Sequence, residues 1–177
     1  MKNWKMIFAG FGGQGVLFAG KVAAYAGLFD DNQVSWLPSY GPEMRGGTAN
    51  CSVCISENTV GSPVIASPDI LVAMNSPSLQ KFLPTVKAGG MVFTDSTLAK
   101  SGAHRPDIRL FEIPATQLSI SEDLEGLTNM ILLGKVLRES KFASDESISQ
   151  SLKQCVPPHK AHLLVHNQRA IHLGAAT

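Results

Sequence analysis

The chain has 177 residues, of which 44% are hydrophobic and 16% charged, enough for one domain with a sizeable core. Fifteen Lys and Arg against fourteen Asp and Glu leave a net charge of +1, so no electrostatic pull toward a nucleic acid or an anionic membrane is expected. Three Cys and no leader-like segment argue against a disulfide framework, and no apolar run reaches the ~18 residues of a membrane span; the expected location is the cytoplasm.

In chain order, "KMIFAG" reads as a buried strand, "GFGGQG" as a tight turn, and "GVLFAGKVAAYAGLF" as a helix that is apolar nearly all round. Such a helix is either central to the core or covered by another chain. "QVSWLP" reads as a second strand ending at Pro38, followed by a stiff polar loop up to Thr48. "TANCSVCIS" reads as a strand, "ENTVG" as a turn, and "SPVI" as a return strand of a hairpin. "DILVAMN", "GGMVFTDS" and "DIRLFEIPA" complete the strands. "SPSLQKFLPTVK" is a helix with a kink expected at Pro84; "GLTNMILLGKVLRES", "DESISQSLKQCV" and "HKAHLLVHNQRAIHLG" are further helices. The alternation predicts a single α/β domain over residues 1–177, a three-layer α/β/α arrangement on a largely parallel to mixed sheet, with a Rossmann-like first strand-turn-helix.

Two segments carry candidate chemistry. Gly10, Gly12 and Gly15 fit G-x-G-x-x-G between a strand and a helix, where glycines permit a tight turn and the helix N-terminus offers free N–H groups to an anion. A dinucleotide site also needs an acid after the second strand. Asp30 and Asp31 precede that strand, and Leu37, Pro38 and Ser39 end it. The turn is therefore open to a phosphate or carboxylate group, to a partner's backbone, or to a purely structural use. The second segment, "YGPEMRGG", is a Pro-stiffened loop with Arg45 as a donor for a carboxylate or phosphate and Glu43 as its alternative partner. With both strands parallel, Gly12, Gly13, Gln14 and Gly15 share one ligand-facing rim with Tyr40, Gly41, Pro42, Glu43, Arg45, Gly46 and Gly47.

Taken together, "GFGGQGV", "SWLPSYGPEMRGGTAN", "SPDILVAMNSPSL" and "NMILLG" closely resemble the γ subunit of 2-oxoacid:ferredoxin oxidoreductases, nearest the 2-oxoglutarate or 2-oxoisovalerate branch. The resemblance runs from the first strand to "NQRAIHLG", nearly the whole chain. It implies membership of an assembly, typical of anaerobic metabolism, that oxidatively decarboxylates a 2-oxoacid on thiamine diphosphate and Mg, forms an acyl-coenzyme A and reduces ferredoxin through iron–sulfur clusters. It implies as partners α and β subunits that bind thiamine and an iron–sulfur subunit or domain, with ferredoxin reached indirectly, and a rim that closes against the thiamine subunits and helps admit coenzyme A.

This chain has no Gly-Asp-Gly of the thiamine type, and three Cys are too few for a four-iron cluster. Cys51 and Cys54, three apart on a strand, are expected on opposite faces. The cofactors are therefore expected on partner subunits, no catalytic residue is expected on this chain, and the isolated chain is expected to self-associate. His159, His162 and His166 read as one face of the last helix with no fourth ligand nearby. Asn129 and Asn167 stand at positions shared with the family, where packing or capping accounts for them. Gly134 inside a helix implies close helix packing. A free-standing dinucleotide-binding oxidoreductase and a structural scaffold remain the alternatives.

Overall fold

The computed structural model describes residues 3–40, 48–99 and 105–177. Its centre is a six-stranded mixed sheet in the order β2-β3-β1-β4-β5-β6. The strands are β1 Trp4–Phe11, β2 Gln33–Tyr40, β3 Thr48–Ser56, β4 Ile70–Ala73, β5 Met91–Asp95 and β6 Arg109–Ile113. β1, β4, β5 and β6 run parallel, whereas β3 is antiparallel to both β1 and β2. β2 thus points the same way as β1, one strand removed from it.

The helices are α1 Val16–Phe29, α2 Ser76–Phe82, α3 Ala115–Ser121, α4 Thr128–Ser140, α5 Asp145–Cys155 and α6 Leu163–Ala176. α1, α4, α5 and α6 contribute to the larger core, against Met6 and Phe8 of β1, Cys51, Val53 and Ile55 of β3, and Phe93 of β5. α1 packs on the sheet and also against α5, so its apolar surface is used inside the domain. The opposite face has a smaller core, in which Leu79 of α2, Leu83 and Ile65 cover Ile7, Ala9, Leu71, Ala73 and Val92. Cys51 and Cys54 fall in these two separate cores, as the two-residue strand period requires.

α4 and α6 cross at their glycines. A Cβ added at Gly134 would lie 2.0 Å from the Ile171 carbonyl oxygen, and one at Gly174 would lie 1.8 Å from that of Ile131. Only hydrogen at these positions allows the backbones to meet, which offsets the propensity cost of about 1 kcal/mol for a helical glycine. Far along the chain, Asp30 at the end of α1 accepts hydrogen bonds from the Ser144 amide at 2.7 Å and the Ser147 hydroxyl at 2.6 Å. It therefore ties the start of α5 to the end of α1.

Several sequence expectations are corrected. The hairpin pairs β2 with β3; "SPVI" forms no strand, because both edges of β3 are already occupied by β1 and β2 and Pro63 lacks a donor. β2 continues through Pro38 to Tyr40. Pro38 is tolerated because β2 is an edge strand, where proline is commonly accommodated. The kink at Pro84 is a break, with α2 ending at Phe82 and a 3₁₀ turn at Leu83–Thr85. α3 was unanticipated: Pro114 at its N-cap provides no side-chain cap, and the capping group comes from Asp95 on β5. The histidines do not share one helix, since His159 lies in a 3₁₀ turn, His162 precedes α6, and only His166 of the three is inside it.

Candidate functional site

β1 is buried along nearly its whole length and delivers Phe11 to the carboxyl end of the sheet. The chain turns at Gly12–Gly15, with Gly13 at φ 98° and Gly15 at φ 72°, both in the left-handed region. Gly15 is the N-cap of α1, which has no side-chain cap and no acid in its first turn. Among the described residues no side chain caps the first amides of α1, the arrangement that favours an anion. A Cβ on Gly15 would approach Asn129 Nδ2 to 2.4 Å. That amide donates to the Gly15 carbonyl at 3.0 Å, so α4 braces the turn from behind.

The chain leaves β1 toward α1 on one face of the sheet and leaves β4 toward α2 on the other. This divergence between neighbouring parallel strands is a topological switch point, where α/β sheets place their ligands. Gln14 spans it. Its Oε1 accepts from the Phe11 amide at 2.7 Å and from Asn75 Nδ2 at 3.1 Å, and its Nε2 donates to the Met74 carbonyl at 3.3 Å. Asn75 Oδ1 in turn accepts from the Ser78 amide and caps α2. Gln14 is thus engaged in holding the rims of β1 and β4 together. Asn75 escaped the sequence reading, although "NSPSL", an Asn followed by Ser-Pro, is a legible helix start.

Further along the rim, Asp95 is fully buried at the end of β5. Its carboxylate accepts from the Thr97 amide and from both the amide and the hydroxyl of Thr116. These bonds cap α3 and the 96–99 turn and give the acid a structural task. It too was missed, because its partners are remote in sequence.

The structure brings the ends of β1 and β2 to one rim, as expected. Tyr40 pairs with Ala49, which on its other side pairs with Gly10, and Thr48 pairs with Phe11. Two strand spacings put the Tyr40 backbone roughly 10 Å from that of Gly10. Gly41, Pro42, Glu43, Arg45, Gly46 and Gly47 lie outside the described residues, in the segment that joins β2 to β3 at this rim. Because antiparallel β3 intervenes, the strand beside β1 ends in Ser56 at the far pole and starts in Thr48 at the rim. A dinucleotide fold needs the end of a parallel second strand there, so the geometry departs from that class.

The cysteines do not fit a shared iron–sulfur cluster: all three are buried, Cys51 and Cys54 on opposite faces and Cys155 on α5. Burial pushes the Cys51 thiol up to about 12, against a smaller opposing effect of its hydrogen bond with Trp36. It is a core group, not a thiolate ligand. Among the described residues, no three His, Cys, Asp or Glu are grouped to hold a metal, and no helix is long and apolar enough to cross a membrane.

Comparison with known proteins agrees with the fold and with the motifs. Residues 5–177 match the family described as pyruvate ferredoxin/flavodoxin oxidoreductase. The chain is 36% identical over 167 residues to the ketoisovalerate oxidoreductase subunit VorA of Methanothermobacter thermautotrophicus, covering 94% of this chain and 35% of that relative. It therefore spans about a third of the length of that protein. It is 33% identical over 152 residues to the 2-oxoglutarate synthase subunit KorC of Methanocaldococcus jannaschii, covering 84% of this chain and 81% of the relative. The crystal structure of the γ subunit of a keto/oxoacid ferredoxin oxidoreductase from Geobacter sulfurreducens superposes with a TM-score of 0.82 at 26% identity, over 98% of this chain and 96% of that one. With its mixed sheet, its glycine turn at the switch point and this match over nearly its full length, the chain belongs to the pyruvate ferredoxin/flavodoxin oxidoreductase family.

Proposed function

We propose that this chain is the γ unit of a 2-oxoacid:ferredoxin oxidoreductase, acting on 2-oxoglutarate or a branched relative, and that its carboxyl rim forms part of the access to coenzyme A. The observation that carries the reading is the uncapped N-terminus of α1 at the switch point, on the same rim as the end of β2. The names of the KorC and VorA relatives support the substrate class. The Gly12, Gly13 and Gly15 amides and the first turn of α1 suit a phosphate or carboxylate, the Gln14 amide being used by the Phe11 carbonyl at 3.2 Å, and Arg45, in the sequence between β2 and β3, supplies a planar charged donor. Thiamine diphosphate and Mg, which supply the decarboxylation, and the iron–sulfur clusters that pass electrons to ferredoxin are assigned to the α, β and iron–sulfur partners. This chain contributes binding and closure.

The structural reading of the "GGQG" turn has one observation in its favour, the complete engagement of Gln14 in the β1–β4 bridge. It is compatible with a ligand held by backbone amides rather than by the Gln14 side chain. The test is the coenzyme A dependence of turnover in the assembled enzyme carrying Arg45→Ala. Loss of a charge-assisted hydrogen bond of about 1.5–3 kcal/mol lowers the apparent affinity by about one to two orders of magnitude. Reduction of the clusters by 2-oxoacid without coenzyme A changes far less. If Glu43→Ala reproduces the effect and both variants loosen the complex, Arg45 holds the loop and the rim is an interface only.

A further inference from the structure

Asn129 is the second residue of α4, and its side chain serves another element. The N-cap of α4 is Leu127, and no side chain caps that helix, so Asn129 does nothing for its own N-terminus. Its Nδ2 donates instead to the Gly15 carbonyl at 3.0 Å, across 114 positions of sequence. The same carbonyl accepts the first helical bond of α1, from the Ala19 amide at 3.0 Å. Both of its lone pairs are thereby used, and its direction is fixed from two sides. Asn129 is only 5% exposed, and its Oδ1 is buried with no hydrogen-bond partner among the described residues. A buried acceptor without a partner is costly, and a Leu of similar size would avoid that cost. Packing of α4 therefore does not account for the amide; its one bond, to Gly15, does.

α4 is a stiff support for this bond. Met130, Ile131, Leu132 and Leu133, which follow Asn129, are fully buried, and Gly134 meets α6 backbone to backbone. At the other end of the bond, Gly15 is in the left-handed region at the N-cap of α1. A Cβ there would crowd Asn129 Nδ2, so the glycine and the asparagine are matched to each other. A side chain that capped α1 would occupy its first amides. Asn129 holds the turn by its carbonyl and leaves those N–H groups to a ligand.

We propose that Asn129 is a positioning residue for the coenzyme A site: acting through the Gly15 carbonyl, it sets the direction in which the first amides of α1 face the rim. This rests on the reading of that rim as part of the access to coenzyme A. Asn129 acts without contacting the ligand itself. Donors fixed in advance bind an anion without the entropy cost of ordering a glycine-rich turn, so the amide contributes affinity rather than chemistry. Gln14 fastens the turn to β4 on one side, and Asn129 fastens it to α4 on the other.

The test separates positioning from folding. Asn129→Leu removes the donor at similar volume, and Asn129→Asp replaces it with an acceptor that repels the Gly15 carbonyl. Both full chains are assembled with the partner subunits, and turnover is titrated with coenzyme A. Asp30→Ala, at the opposite end of α1, and Arg45→Ala, on the rim, are measured beside them. The KM for coenzyme A should rise about fivefold or more for Asn129→Leu and further for Asn129→Asp, while kcat at saturating coenzyme A stays within about twofold of wild type. Asp30→Ala should lower the melting temperature and keep the wild-type KM. Circular dichroism and thermal melting of each isolated chain check the fold, and Asn129→Ala replaces Asn129→Leu if the latter fails to fold. A wild-type KM in the Asn129 variants beside a raised KM in Arg45→Ala would overturn this inference and leave the coenzyme A reading standing. A wild-type KM in the Asn129 and Arg45 variants alike would overturn the reading of the rim together with it. If Asp30→Ala raises the KM as much as Asn129→Leu does, the effect is general loosening of α1, and the inference also fails.

Discussion

The two faces of the sheet follow different rules. On one, α1, α4, α5 and α6 close over a continuous apolar layer, and contacts are so tight that two helices meet backbone to backbone at Gly134 and Gly174. On the other, α2 and coil cover the centre of the sheet, Cys54 of β3 included, and leave a leucine exposed at each edge, Leu37 of β2 and Leu110 of β6. The first face accounts for the stability of the isolated domain. The second, together with the rim it joins, leaves polar and apolar groups at its edges exposed in the isolated chain. Changes on the first face should therefore register in melting experiments, and changes on the second in assembly or turnover.

The strongest way to break that division is at the α4–α6 crossing. Gly134→Ala places a methyl group 2.0 Å from a main-chain oxygen, and the helices must separate to admit it. An expected loss of about 3 kcal/mol would be read as a lowered denaturant midpoint. An unchanged midpoint would show that the crossing is looser than drawn. Asp30→Ala should cost less, about 1 kcal/mol, because it removes a trans cap from α5. Burial tends to raise the pKa of Asp30, but hydrogen bonds from Ser147 and Ser144 outweigh it and hold the carboxyl below its ordinary value of 3.8. Its stabilisation is therefore fully present above that value and is lost as the pH falls through the lowered one. Urea titrations below pH 4 should show the difference between wild type and Asp30→Ala shrinking with acidity. The smallest effect is expected on the open face, where Ser52→Ala should move the stability of the isolated chain by less than about 0.5 kcal/mol. A larger loss would mean that this face is already used within the domain.

Local signals made much of the architecture legible. The apolar run of β1, the glycine turn, the opposed Cys51 and Cys54, and the crossing implied by Gly134 all follow from residue spacing within one element. What the sequence hid depends on partners far along the chain. α3 is capped by Asp95, more than one element away, and α5 is tied down by Asp30. Pro38 reads as a strand end until β2 is known to lie at an edge, the place in a sheet where proline is accommodated. The "SPVI" segment has strand character, yet no free edge of β3 is left to receive it. At the candidate site, the shared rim of the "GGQG" turn and Tyr40 was legible from the expected direction of the strands. The bridge from Gln14 to Asn75 and Met74 was not, because it exists only once β4 lies beside β1.

The central claim is that this chain completes an enzyme whose reaction centre lies on other subunits. The most direct test is reconstitution: the thiamine-binding and iron–sulfur subunits are purified without this chain, and 2-oxoglutarate-dependent ferredoxin reduction is followed across a coenzyme A titration before and after adding it back. The account predicts that saturable, coenzyme A-dependent turnover appears only when this chain is present, while the chain alone reduces no ferredoxin. Equal coenzyme A-dependent turnover with and without this chain would contradict it.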